Sequence, residues 1–280
     1  MLEETADLHI HSYYSDGTMS PEEILKEALQ NNVGLIALTD HDMLEGSREL
    51  RSLCQNADIK FMTGIELNSL HEGLNYHILG YGVDIDSTDF QAFVDKNRSM
   101  LFQVNSLLIE KMEKVYPSIS VAEYNDYEYD RTKGGWKALH YLMEKGFTNT
   151  LREGFALYTK YNCYYDCVDF PSIQTVCDNI HMAGGKAILA HPGVSIKTNS
   201  HAEFKQKIHQ LLTHNLDGIE CYYVTHTKEI TNHCLSLCNQ RRLMITCGSD
   251  CHGTFGTAHI GDINIPIHML NLGTLESLLS

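Results

Sequence analysis

Apolar and polar residues alternate through Ala6-Asp7-Leu8-His9-Ile10-His11, the two-residue period of a strand with one buried face. Ser20-Pro21-Glu22-Glu23 then combines a capping serine, a first-turn proline and a glutamate placed to bond back to the cap. A helix is predicted from there to about Asn31, with Gly34 as its breaker. The run Leu35-Ile36-Ala37-Leu38-Thr39 is apolar throughout, as suits a strand buried on both faces, and it ends at Asp40-His41-Asp42. A helix over residues 45–56 leads to a short strand, 60–66, that ends in Glu66, and Tyr76-His77-Ile78-Leu79-Gly80-Tyr81 reads as another strand.

Beyond residue 87 the period changes. Phe90, Phe93, Val94, Leu101, Val104, Leu108 and Met112 recur at helical spacing until Pro117. Trp136, Leu139, Leu142 and Met143 mark a second helix ending near Gly146, and Leu151, Phe155 and Tyr158 a third. Helix and strand alternate again afterwards: a helix over 172–183, a strand over 186–190 that ends at His191-Pro192-Gly193, a strand over 218–221, a helix near 228–240, and a strand over 243–247 that runs into Gly248-Ser249-Asp250-Cys251-His252. Short parallel strands joined by helices, polar at their carboxyl ends, predict an α/β fold of the TIM-like barrel type, in which that face carries the active site. An open doubly wound sheet is the alternative, and it would gather ligands at one crevice rather than around a ring. Residues 1–86 and 171–280 are predicted to form the barrel, and 87–170 an inserted helical cap.

With 280 residues, 43% hydrophobic and 20% charged, the chain suits one large α/β domain carrying an insertion. Its formal charge of −15 opposes broad contact with long duplex nucleic acid, which needs a basic surface. Small anions remain open as substrates, because bound cations can reverse the local field. The start, Met1-Leu2-Glu3-Glu4-Thr5, is acidic and has no apolar run, so neither a secretory signal nor a membrane span is predicted, and the cytoplasm is the expected location. Nine cysteines, an odd number without regular spacing, argue against a disulfide scaffold. Cys163 with Cys167 and Cys234 with Cys238 each lack a matching second pair, which argues against a zinc-thiolate site. The anomaly is the 16 histidines.

His9 and His11, two apart on a strand, present their rings on one face and can reach one cation, and Asp250 and His252 repeat that spacing. A single such pair is as readily a satisfied polar pair at a strand edge. Here Asp16, Asp40, His41, Glu66, His77 and His191 also follow or end predicted strands. The resulting mixture of imidazole and carboxylate suits zinc, manganese or iron rather than calcium. His71, His140, His181, His201, His209, His214, His233, His259 and His268 fall outside the pattern and read as surface or packing residues.

Taken together, Asp7-Leu8-His9-Ile10-His11-Ser12 with Ser15-Asp16-Gly17, Thr39-Asp40-His41-Asp42, Gly64-Ile65-Glu66, Ala190-His191-Pro192-Gly193 and Gly248-Ser249-Asp250-Cys251-His252 resemble the polymerase and histidinol phosphatase (PHP) family of metal-dependent phosphoesterases over nearly the whole chain. The resemblance implies a distorted seven-stranded TIM-like (β/α)7 barrel with two or three divalent ions. By position it implies that His9, His11, Glu66 and Asp250 hold the first ion, Glu66, His77 and His191 the second, and Asp16, His41 and His252 the third. Asp40 is then expected to orient a ligand histidine.

Among small members of the family the chain is similar to phosphatases of nucleoside 3′,5′-bisphosphates and short oligonucleotides, which carry a histidine at the position of His226, near the phosphate. Those relatives have an arginine-bearing motif where this chain has Gly134-Gly135-Trp136-Lys137, so nucleotide specificity does not transfer outright. Arg131, Lys133 or Lys137 is the expected clamp for a second phosphate, with a solvated helix face as the plainer reading. Trp136 is a surface on which a base could stack. The expected reaction is hydrolysis of a phosphate monoester by a hydroxide bridging two ions; a histidinol phosphate or sugar phosphate is the alternative substrate. An amidohydrolase or deaminase also opens with H-x-H, but leaves Asp16, the Asp40-His41 pair and the Asp250, His252 pair without a role. A catalytically silent barrel would have lost ligands, and none is missing here.

Overall fold

A computed structural model describes residues 3–198 and 200–279. Among these, eight strands form one sheet: β1 Thr5–Asp7, β2 Val33–Leu38, β3 Lys60–His71, β4 Leu74–Tyr81, β5 Lys186–Leu189, β6 Gly218–Tyr223, β7 Met244–Gly248 and β8 Ile265–Pro266. Their order is β7-β6-β5-β4-β3-β2-β1-β8. The first seven lie where strands are predicted, although β3 runs on to His71 instead of ending at Glu66. The eighth, two residues long, pairs antiparallel with Thr5 and Ala6, and its flanking Ile263 and Ile267 pack on the barrel interior. Closure comes from hydrogen bonds across the β1 and β7 ends: Leu8 N–H donates to Cys247 O at 3.1 Å, Asp250 N–H to His9 O at 2.8 Å and His11 N–H to Cys251 O at 2.8 Å.

Leu35 and Ala37 of β2 pack inside the barrel and Ile36 and Leu38 pack outside it, which is why that run is apolar at every position. The outer layer includes α1 Pro21–Gln30, α2 Glu45–Cys54, α7 Ile173–Met182 and α10 Lys228–Arg241. The α1 cap is as predicted: Glu23 N–H donates to Ser20 Oγ at 3.1 Å and Ser20 N–H to Glu23 Oε2 at 2.8 Å. Asn31 and Asn32, the latter at φ +58°, end this helix, whereas Gly34 lies inside β2.

Three expectations change. The sheet is not all parallel, because β3 and β4 form an antiparallel hairpin across Glu72 and Gly73, and β4 also runs antiparallel to β5. Both turn residues have positive φ, the primed geometry that fits strand twist. The first strand stops at Asp7 instead of running to His11: Leu8 joins the interior cluster and Ile10 the outer one, so the simple alternation breaks between them. Finally, α9 His201–Leu211 and α4 Val121–Asp126 form where the pattern reading predicts no helix.

Between β4 and β5 the chain is helical: α3 Thr88–Glu113, α4, α5 Lys137–Glu144 and α6 Phe155–Lys160, with 3-10 turns between. Leu108, Ile109, Met112, Tyr124, Tyr141 and Leu142 form one core of this insert, and Leu101, Val104, Trp136, Leu139, Val168 and Phe170 a second. A further short helix, α8 Pro192–Ser195, follows β5. No described helix is long and apolar enough to cross a membrane.

Candidate metal centre

The carboxyl ends of the parallel strands, with Glu66 and His77 from within the antiparallel β3–β4 hairpin, bring together side chains from across the sequence. Glu66 is at the middle. Its Oε2 lies 3.2 Å from His9 Nε2, 3.2 Å from His11 Nε2 and 3.2 Å from His41 Nδ1; its Oε1 lies 2.8 Å from His77 Nδ1 and 3.0 Å from His191 Nε2. Asp250 Oδ1 is 3.1 Å from His11 Nε2 and 3.4 Å from His9 Nε2. On the far side of His11, Asp16 Oδ1 is 3.3 Å from His252 Nε2 and 3.8 Å from His11 Nδ1. Three donor groups are spaced to hold an ion: His9, His11, Glu66 and Asp250; His41, Glu66 and His77; His11, Asp16, His41 and His252.

Burial makes this arrangement costly without a cation. Among the described residues, His9 Nε2, both nitrogens of His11, Asp16 Oδ1, His41 Nδ1, Glu66 Oε2 and His77 Nδ1 are buried and have no hydrogen-bond partner. Each such atom costs about 1–3 kcal/mol unless something else satisfies it, and divalent metal ions suit this donor set. Burial opposes the charge of Glu66, yet His77, His41 and His9 hold its carboxyl well below the usual range, and Asp250 is held low in the same way by His9 and His252. Burial pushes His41 down to about 3 against Glu66 and Asp16. Ionised carboxylates and a neutral imidazole are the forms that bind metal. For His11 the order reverses: burial would lower it, but Asp250 and Glu66 raise it to about 10, a sign of how strongly the cluster attracts positive charge. Two of these residues occupy backbone conformations that side chains rarely adopt, His191 at φ +26° and Asp250 at φ +56°, the kind of strain that collects at functional sites.

The first group is the one predicted for the first ion. The third contains the predicted Asp16, His41 and His252 together with His11. The second differs, because His41 stands with Glu66 and His77 where His191 was expected, and His191 instead approaches the same Glu66 oxygen from the β5 side. Among the described residues, the hydrogen bonds of Asp40 come from the Ser12–Ser15 loop and not from the histidine it was expected to orient. Its carboxylate accepts Ser12 N–H at 2.8 Å, Ser12 Oγ–H at 2.7 Å and Ser15 Oγ–H at 2.6 Å, and so fixes the loop that carries Asp16.

His226 is turned to backbone at both nitrogens: Gly193 N–H donates to Nε2 at 3.0 Å and Nδ1–H donates to Cys221 O at 3.2 Å, so the ring holds the turn after His191. Lys137 Nζ donates to Asn125 O at 2.9 Å, away from the centre. Arg131 and Lys133 stand exposed on a 3-10 turn. The adjacent Gly134 and Gly135 let the insert touch the barrel loop, Gly135 N–H donating to Asp16 O at 2.8 Å, and a side chain at Gly134 would collide with Phe255 and Asp16 O. Trp136 is buried, with its ring 5.9 Å from that of His41.

Among the described residues lining the cleft over the centre, Arg152 carries the guanidinium, which donates to Phe255 O and lies 5.7 Å from that ring. That cleft, about 270 Å3, is also lined by Asp16, Phe155, Tyr223, Asp250 and His252. Two further residues escape the sequence reading. Glu220 is fully buried; its Oε1 accepts His9 Nδ1–H at 3.0 Å and its Oε2 accepts His191 N–H at 2.7 Å. Tyr223 donates its hydroxyl to Asp250 Oδ2 at 2.8 Å, leaving Oδ1 for the centre. Residues three apart on a regular strand face opposite ways, but the register of β6 shifts between Glu220 and Tyr222, and this bulge turns both side chains inward. A carboxylate within the otherwise apolar Gly218-Ile219-Glu220-Cys221 was the one available signal.

Comparison with known proteins agrees with this geometry. The chain is 27% identical over 252 residues to the 5′-3′ exoribonuclease Rnm of Escherichia coli, covering 88% of this chain and 84% of that one. It is 27% identical to a phosphoribosyl 1,2-cyclic phosphate 1,2-diphosphodiesterase of Eggerthella lenta, over 91% and 97% of the two chains. It is also 27% identical to a 3′,5′-nucleoside bisphosphate phosphatase of Chromobacterium violaceum, over 67% and 66%. A crystal structure from Bifidobacterium adolescentis, described as a metal-dependent phosphoesterase, shares the fold with a TM-score of 0.75 at 22% identity, over 92% and 91% of the chains. The PHP domain family model matches residues 7–164, more than half of the chain. The chain therefore belongs to the PHP-domain family of metal-dependent phosphoesterases and is a hydrolase of phosphoric ester bonds.

Proposed function

We propose that the chain hydrolyses a phosphate monoester of a nucleotide, a 3′,5′-bisphosphate or a short oligonucleotide, at a centre of two or three zinc, manganese or iron ions. The observation that carries this reading is the convergence of seven buried, unpartnered ligand atoms around Glu66 and Asp16. His9, His11, Glu66 and Asp250 hold one ion, Glu66 and His77 with His41 or His191 a second, and Asp16, His41 and His252 a third. Bound divalent ions supply acidified water and neutralise charge on a phosphoryl group.

The chain's own groups set the rest. Glu220 and Tyr223 fix the rotamers of His9 and Asp250, Asp40 fixes the Asp16 loop, and Arg152 in the cleft takes the second phosphate that Arg131, Lys133 or Lys137 was expected to hold. Residues 87–170 act as the cap over a barrel made of 1–86 and 171–280. The relatives support a nucleotide through the exoribonuclease and the bisphosphate phosphatase, while the cyclic-phosphate diesterase marks the nearest other substrate class.

The test is product formation after removal of metals and reconstitution with Mn, Zn or Fe, read as inorganic phosphate from the monoesters and as the new monoester from the diesters. Adenosine 3′,5′-bisphosphate, a dinucleotide, histidinol phosphate and a ribose 1,2-cyclic phosphate are compared. Fastest turnover of the first two is expected; preference for either of the others overturns the nucleotide reading, and loss of all turnover only upon chelation confirms the metal requirement.

A further inference from the structure

A second cavity, about 150 Å3, lies within the helical insert beside the metal centre. Five aromatic rings line it: Trp136, Phe155, Tyr158, Tyr164 and Tyr165, with Leu101 and Val104 of α3 completing an apolar wall. Three observations tie it to the reaction site. Trp136 stands 5.9 Å from His41. Phe155 lines both this cavity and the cleft over the centre. Burial raises the Tyr165 hydroxyl, and the charges of Asp42, Asp16 and Glu66 raise it further, so that hydroxyl lies in the field of the centre's carboxylates. At the rim, Phe155 and Tyr164 are each 43% exposed, a large aromatic area left open to water.

The polar atoms of the wall are largely spoken for. Asn105 Nδ2 donates to Leu101 O at 2.8 Å and its Oδ1 accepts the Tyr158 hydroxyl, while the Tyr164 hydroxyl donates to Thr159 O at 3.4 Å. What remains is ring faces and two groups without a hydrogen bond among the described residues, the Trp136 indole N–H and the Tyr165 hydroxyl, to which every base can offer an acceptor. Stacking on such faces tolerates any base, whereas telling one base from another requires free donors and acceptors aimed at its edge.

We propose that this aromatic cavity holds the nucleobase of a substrate whose phosphate lies at the metal centre, and that it selects for the presence of a base without distinguishing which base. The proposal deepens the nucleotide reading and rests on it only for the phosphate; base binding is testable alone. Trp136 is the sole tryptophan, so its emission reports directly on the cavity. Adenosine and cytidine, which carry no phosphate, should each quench it saturably in metal-free protein, and ribose 5-phosphate at the same concentration should not.

In the metal-loaded enzyme, Tyr164→Ala should lower the ratio of kcat/KM for adenosine 3′,5′-bisphosphate over that for ribose 5-phosphate by roughly fivefold or more, as loss of one stacking partner implies. Tyr164→Phe should keep the ratio, since it keeps the ring. Nucleosides that leave the emission unchanged, an unchanged ratio in Tyr164→Ala, or a preference above about tenfold between adenosine and cytidine would each overturn the proposal. The two readings fail separately: quenching without hydrolysis of any phosphomonoester sinks the phosphoesterase function alone, and hydrolysis without quenching sinks the base pocket alone.

Discussion

An imidazole ligand is only as fixed as the group behind it, and behind His9 stands Glu220. Both Glu220 oxygens are acceptors in use, one for the His9 ring and one for the His191 backbone. Glu220→Gln keeps the shape but turns an NH2 toward one of those two donors. It should weaken metal binding by about 10–100-fold, read by calorimetric titration of metal-free protein, with the far-UV spectrum unchanged; binding within twofold of wild type would make Glu220 a packing residue. The contrast with Asp40 shows what a sequence can tell at this scale. Asp40 sits beside His41 in a motif and so reads as its partner, but the loop of Ser12 to Ser15 folds back and gives it three hydrogen bonds. Residues at strand ends announce themselves because polar side chains there interrupt apolar runs. Glu220 interrupts an apolar run inside a strand rather than at its end, a weaker signal, and Arg152 lies in a turn of the insert, where there is no period to break.

Elements that obey local chemistry are the ones the sequence predicts well. Ser20, Pro21 and Glu23 define the start of α1 through bonds that need nothing else from the fold. Ser20→Ala should therefore cost about 1 kcal/mol of stability, seen as a lower urea midpoint at unchanged slope; no shift would mean that packing alone holds that turn. The β3–β4 hairpin is harder to read, since its Glu-Gly turn lacks the Asn-Gly or Asp-Gly signature, and with it the antiparallel course of β4 is missed. The α9 apolar positions, Phe204, Ile208 and Leu211, are separated by lysine, glutamine and histidine, too thin a stripe to stand out. Close approach of two strands is equally invisible until the fold is known. A Cβ on Gly248 of β7 would overlap the His9 side chain and crowd Glu220. Gly248→Ala should thus destabilise by about 1–3 kcal/mol and reduce bound metal as well; normal metal content in that variant would show that β1 and β6 can yield.

At the scale of the whole molecule, the metal centre and the closure of the barrel are the same place. The hydrogen bonds that join the β1 and β7 ends run through His9, His11, Asp250 and Cys251, and the donor groups of the centre come from both sides of that seam and from β3 and β4 opposite. Ions bound there tie strands that are far apart in sequence, while the core around Leu108 is built from insert residues and the one around Leu101 also meets Leu70 and Phe255 of the barrel. Anything that binds only the folded chain stabilises it, by about 2.7 kcal/mol at a free concentration 100 times Kd. Chelation should therefore lower Tm by roughly 5–10 °C. The loss should also be local. Amide exchange should quicken first at residues 8–11 and 249–252, where the seam depends on the centre, and last in α5 and the 108–113 end of α3, which pack together in the insert core around Leu108. If the metal-free protein keeps its Tm, or if α3 opens before the seam, the ions are not part of what closes the barrel.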